Sequence, residues 1–141
     1  MAFKIVDGKP VNTMYCLASN GGTVKGAMTM MSSGKVIPAT AYISASTAMG
    51  IARETVASGS YVLVDLIEDH IIEADFTGSS KTSVTDADVA SVFDLTGDST
   101  INLDDTTNGS FVIGANAGSG YFYDNTNLKV RGKFLQSIRY I

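Results

Sequence analysis

Residues 90–114 read ASVFDLTGDSTINLDDTTNGSFVIG. Val92, Phe93 and Leu95 make an apolar run, and Thr96-Gly97-Asp98 interrupts it. Ile101 and Leu103 then alternate with polar neighbours until Asp104 to Gly109 breaks the chain again. Asn108-Gly109 is a hairpin signal, because both residues accept the positive φ of a tight two-residue turn. Phe111-Val112-Ile113 is a third β-rich run. The stretch therefore predicts strand, turn, strand, turn, strand, with acidic residues crowded into the turns.

The composition agrees with that reading. The chain has 141 residues, enough for one domain with a real core. Apolar residues make up 45% and charged residues 17%, which excludes a disordered chain. Gly is frequent at 14 and Pro scarce at 2, as short strands and tight turns require. The net charge of −4 argues against nucleic acid as a partner. Acids dominate the middle of the chain, while Lys129, Arg131, Lys133 and Arg139 cluster near its end. Such a split either steers one surface towards another copy or a partner, or leaves two ordinary solvated faces. No apolar run approaches the roughly 18 residues of a membrane span, so no membrane partner is expected. The N-terminus has no secretory pattern. Cys16 stands alone, so it is expected as a buried, inert thiol.

In chain order, residues 1–20 read as an extended arm, with short β-like runs at Ala2 to Val6 and Asn12 to Leu17. The arm either folds back on the core or lies on another subunit. Residues 21–141 form the β domain. In Thr23 to Met31, beside Val24, the methionines Met28, Met30 and Met31 are read as core packing. Ala48 to Glu54 reads as a strand. Tyr61 to Ile67 is the clearest strand, nearly continuous in β-formers, and is expected to be central and buried on both faces. Ile71 to Phe76 is expected to be its partner. Thr85 to Asp88 has the spacing of a helix start, with room for one turn only. Leu128, Val130 and Phe134 share one face of a last strand, and Gly132 on that face marks a bulge or a close backbone approach. Turn signals at such short intervals, between β runs, predict a mainly β barrel or sandwich with little helix.

Candidate chemistry is sparse. From Asp94, oxygen-bearing side chains recur at Thr96, Asp98, Asn102 and Asp105, which resembles the calcium loop of dockerin modules. Ser99 stands where that loop needs Gly, Gly97 is displaced, and no helix or second copy follows, so no metal is assigned. Gly114 to Gly120 lacks the Lys of a phosphate loop and reads as a surface loop. His70 beside Asp69 reads as a turn histidine, since neighbours on a strand face opposite ways. No nucleophile motif occurs. No catalytic residue and no cofactor are assigned, and an enzyme is not expected.

The order of segments carries a resemblance. Ala48-Met49-Gly50-Ile51-Ala52, the Tyr61 to Ile67 strand, Val92-Phe93-Asp94-Leu95, Ile101-Asn102-Leu103-Asp104, Gly109 to Ile113 and Asn127 to Val130 follow one another, and a basic strand closes the chain. Over about residues 35–141 this resembles the head decoration (cement) proteins of tailed bacteriophages. The resemblance implies a small single-domain β-barrel, sometimes called a β-tulip, that forms homotrimers on the outer capsid surface. The implied partners are the major capsid protein and further copies of the chain, and the implied location is the virion, assembled in the host cytoplasm. Residues 1–20 become the arm, with Phe3, Lys4, Ile5, Val6 and Lys9 as capsid or inter-subunit contacts. From another class, the alternative is a calcium- or carbohydrate-binding β module of a bacterial surface or enzyme complex. A phage tail or tube component is a third reading.

Overall fold

The computed structural model describes residues 2–39, 48–106, 110–114 and 121–135. In chain order their strands are β1 (Phe3–Ile5), β2 (Thr13–Leu17), β3 (Met28–Ser32), β4 (Lys35–Pro38), β5 (Ala48–Ala52), β6 (Tyr61–Leu66) and β7 (Ile72–Thr77). A single 3-10 turn, Asp86–Asp88, follows. Then come β8 (Val92–Thr96), β9 (Thr100–Asn102), β10 (Phe111–Ile113), β11 (Tyr123–Asp124) and β12 (Lys129–Phe134). The expected mainly β barrel is what the chain forms.

Strands β7, β9, β8, β10 and β12 pair in that order, and β12 returns to β7, closing a barrel of five strands. Closure removes the open edges that a sheet otherwise presents. The β7–β9 pair is parallel and the other four are antiparallel. Side chains alternate along each strand. Ile72, Ala74 and Phe76 therefore meet Phe93, Leu95, Ile101, Phe111, Ile113 and Val130 in one buried cluster. Gly132 is the predicted close approach: a Cβ there would lie 1.8 Å from the Val112 carbonyl oxygen. Leu128 departs from expectation, being half exposed with φ +56° in the turn before β12.

The second sheet runs β2-β6-β5-β3-β4, all antiparallel. Its ends meet at one parallel bridge, Ala18–Val36, where the Ser19 N–H donates to the Val36 carbonyl. Cys16, Ala18, Val36, Val62, Val64 and Leu66 fill its interior. Met28 and Ile51, from β3 and β5, belong instead to the barrel's cluster, so the two sheets share packing. Cys16 is buried, and burial pushes its thiol pKa up, as an inert thiol requires. Met28 is core as expected, whereas Met30 and Met31 are only partly buried.

Three expectations are corrected. Strand β6 is central in its sheet, but Tyr61, Leu63 and Asp65 face outward in strict alternation with buried Val62, Val64 and Leu66. A curled sheet has one interior, so only one face of β6 is covered. Second, β7 does not pair with β6. Asp69 turns the chain at φ +58°, the His70 N–H donates to the Ile67 carbonyl, and the chain crosses to the other sheet.

Third, residues 2–20 do not extend away as an arm but take the other expected course and fold back on the core. β1 pairs with β7, Phe3 opposite Ala74 and Ile5 opposite Ile72. β9 covers that edge of β7 only at Phe76 and Thr77, and β1 takes the remainder. β2 then pairs along β6 in the second sheet. The leading segment ties the two sheets together, and the division at residue 20 has no structural counterpart. The expected Asn108-Gly109 turn, most of the Gly114 to Gly120 loop and Arg139 lie outside the described residues.

Candidate binding surface

The five residues assigned to a contact role divide by register. Phe3 is fully buried and its ring lies 5.9 Å from that of Phe134, so it is a core residue rather than a contact. Lys4, opposite Glu73, is exposed. Ile5 and Val6 are half-buried, and the Val6 N–H donates to the Ile71 carbonyl. Lys9 is exposed; its N–H donates to Asp7 Oδ1 at 3.0 Å and its Nζ to the Asp69 carbonyl at 3.3 Å. These five form a strand and a turn, not one patch.

The turn is held by a pair that sequence spacing could not show. Asp7 and His70 are both nearly buried, with Nδ1 3.1 Å from Oδ1. Asp7 Oδ2 also accepts the Ile71 N–H at 2.9 Å. Burial works to raise the Asp7 pKa, but the hydrogen bonds from Ile71, His70 and Lys9 outweigh it and hold the carboxyl below its usual range. Clefts of about 320 and 300 Å³ lie against this segment, one lined by Lys9, Asn12, Glu68 and His70, the other by Lys4, Ile5, Val11 and Asp65. Each mixes cationic and anionic groups and converges on no single ligand chemistry.

The calcium-like stretch is a hairpin of β8 and β9. Asp94 is wholly buried, and its Oδ1 accepts the Ser110 N–H and hydroxyl. The Asn102 side chain accepts the Asp104 N–H. Asp104 accepts the N–H groups of Lys81, Ser79 and Ser80, which hold its carboxyl below the usual range. These oxygens serve the protein's own backbone. Among the described residues no three His, Cys, Asp or Glu side chains gather as metal ligands.

Lys129 and Arg131, two of the C-terminal cations, also find partners inside the chain. The β12–β7 register puts Lys129 opposite Asp75 and Arg131 opposite Glu73, and both pairs form ion pairs. Arg131 lies 4.4 Å from the centre of the Tyr121 ring, and the Tyr121 hydroxyl donates to Glu73. Burial works to raise the Glu73 pKa, but Tyr121, Arg131 and Lys129 together bring it down. Lys129 and Arg131 are thus satisfied within the molecule, and the charge split does not by itself define an interface.

Among the described residues the two most exposed aromatic rings are on β2 and β6. Thr13, Tyr15 and Leu17 lie opposite Asp65, Leu63 and Tyr61, all on the outer face, because Cys16, Val62 and Val64 point inward. Tyr15 is 65% exposed and Tyr61 56%. Their rings stack with centroids 5.4 Å apart and planes 11° apart. The alternation around Cys16 was the available signal for this pair, and the sequence reading did not use it. No helix among the described residues is long and apolar enough to cross a membrane. Compared with protein-family models, curated proteins and solved structures, the chain matches none.

Proposed function

We propose that this chain is a structural protein of a virus particle, a decoration protein that seats on the outer surface of an expanded phage head and bridges its capsid subunits. The observation that carries the proposal is the Tyr15–Tyr61 stack. Two large rings stand in solvent on paired strands of a rigid sheet, where they add little to the core. Tyrosine brings much contact area with few torsions to freeze, and such rings dominate many protein interfaces. In this reading the partner is the major capsid protein, with further copies of the chain; the resemblance implies a homotrimer. A protein that binds only the expanded lattice stabilises it by linkage, in proportion to its occupancy. Several weak contacts per assembly add through avidity. In this reading the contact face lies not at Phe3 to Lys9 but on the outer face of β2 and β6.

The test is co-sedimentation with expanded and unexpanded empty heads. The wild-type protein should pellet with expanded heads only. Tyr15→Ala/Tyr61→Ala should weaken that binding by tenfold or more without lowering the melting temperature. Undiminished binding by a folded double variant refutes the face, and no binding by the wild type to either form refutes the function.

The carbohydrate reading draws on the same two rings, since exposed tyrosines stack on sugars. Here each ring covers one face of the other, so only one free face remains per ring. Calorimetry with neutral oligosaccharides separates the readings.

A further inference from the structure

We propose that the open edge of β2 pairs antiparallel with β2 of a second copy, around a two-fold axis at Met14. The hydrogen-bond phase of the strand leads to this. The Leu66 N–H donates to the Asn12 carbonyl and the Ala18 N–H to the Ser60 carbonyl. With the register Met14–Val64 and Cys16–Val62, the backbone groups of Met14 and Cys16 therefore point to β6. Those of Thr13 and Tyr15 point the other way. Among the described residues no strand pairs with that edge at Thr13 to Tyr15; β4 reaches it only at the Ala18–Val36 bridge.

An edge with free N–H and C=O groups takes another strand, and natural edges are commonly blocked by charge, proline or bulges. Among the described residues nothing blocks this one. Thr13, Met14 and Tyr15 are uncharged and exposed. The nearest charge on the outer face, Asp65, is paired with Arg53 at 2.6 Å. No like charges would oppose each other across the seam.

A second copy fits because the edge is self-complementary. With the axis at Met14, Thr13 of one copy lies opposite Tyr15 of the other, and Tyr15 opposite Thr13. The open donors and acceptors on both edges are then used, in two hydrogen-bonded pairs. An axis at Tyr15 would instead bring in Leu17, beside the β4 bridge. Met14, 40% exposed, meets its own counterpart at the close, non-hydrogen-bonded position. On the outer face the two Tyr15–Tyr61 stacks come side by side on one continuous sheet. Such a contact is isologous and closes at two copies, so it makes a dimer or joins two larger assemblies. The seam is far smaller than the roughly 1,200 Å² of a stable complex, so pairing is weak in free solution and grows where copies are concentrated on a lattice. The inference does not depend on what that lattice is.

Register-specific crosslinking of the full chain tests it. In a Cys16→Ala background, Met14→Cys places two thiols directly across the axis, within reach of a disulfide. Thr13→Cys and Tyr61→Cys do not. Under mild oxidation at high protein concentration, Met14→Cys should form a disulfide-linked dimer at least fivefold faster than either control. In the native background, Met14→Lys sets two cations face to face and should abolish the concentration-dependent rise in mass seen by light scattering, with the circular dichroism spectrum unchanged. Equal crosslinking rates at all three positions, a strictly monomeric wild type, or a Met14→Lys variant that associates as the wild type does would each overturn the proposal.

Discussion

Asp7 and His70 are 63 residues apart in sequence and share a buried hydrogen bond that joins the leading segment to the crossing between the two sheets. The carboxylate also accepts the Lys9 and Ile71 N–H groups, so one side chain fixes both arms of the junction. Its folded-state pKa is depressed. A depressed carboxylate contributes stability that is present above its unfolded pKa of about 3.9 and is lost as pH falls through the folded value. Asp7→Asn should cost about 1–3 kcal/mol at neutral pH, the scale of disturbing a buried, multiply bonded group. The deficit relative to wild type should shrink as the pH is taken below about 4. Chemical denaturation at a series of pH values measures both; a deficit that grows in acid would show that the sign is wrong.

Phe3 decides what the leading segment is for. A fully buried ring packed on Phe134 makes it part of the barrel core. Phe3→Ala should cost about 3–5 kcal/mol. Deleting residues 2–10 removes β1 and Asp7 together and should abolish cooperative unfolding. A truncated protein that melts like the wild type would restore the free arm.

The parts of this fold that were legible in the sequence are those set by local chemistry. Gly97, at φ +59°, ends β8 as its turn position suggests. Thr85 and Asp88 make the predicted capping interaction around one helical turn, with the Thr85 N–H donating to Asp88 Oδ2 at 2.9 Å. The parts that were not legible depend on pairing between distant strands. Phe3-Lys4-Ile5 has the same alternation whether it lies on β7 or on a neighbouring molecule. Lys129 and Arg131 look unpartnered until the β12–β7 register sets Asp75 and Glu73 opposite them. Asp69 was the visible neighbour of His70, yet the turn at Asp69 aims the imidazole at Asp7. The exposure of Tyr15 and Tyr61 was in principle readable from the inward parity of Cys16, Val62 and Val64.

Gly132 and Gly97 separate two kinds of glycine requirement. At Gly132 the obstacle is backbone: a Cβ would stand 1.8 Å from the Val112 carbonyl oxygen, and the β10–β12 pair would have to part. At Gly97 a Cβ meets nothing within 4 Å, and only the positive φ opposes it. Gly132→Ala should therefore cost about 3 kcal/mol or more, at the upper end of overpacking. Gly97→Ala should cost about 1 kcal/mol. Equilibrium unfolding of the two variants ranks them, and similar costs would contradict the close approach.

Arg131 touches two partners in different ways, which makes its replacement informative. Its guanidinium meets Glu73 Oε2 from both Nε and Nη2, at 3.1 Å each, and covers the Tyr121 ring. Lysine keeps the charge but loses the planar fork and the stacking. Arg131→Lys should cost about 0.5–1.5 kcal/mol, the combined scale of a partly exposed charged pair and a cation–π contact. The Glu73 carboxyl, now held below its usual range partly by Arg131, should titrate at higher pH in the variant. Because Tyr121 donates to the same oxygen, Tyr121→Phe should raise the Glu73 pKa as well, without removing the cation. Carboxyl-carbon NMR titrations of both variants check this. If only Arg131→Lys moves Glu73, the forked hydrogen bonds of the guanidinium control the site; if both do, the hydroxyl and the guanidinium share that carboxylate as the geometry indicates.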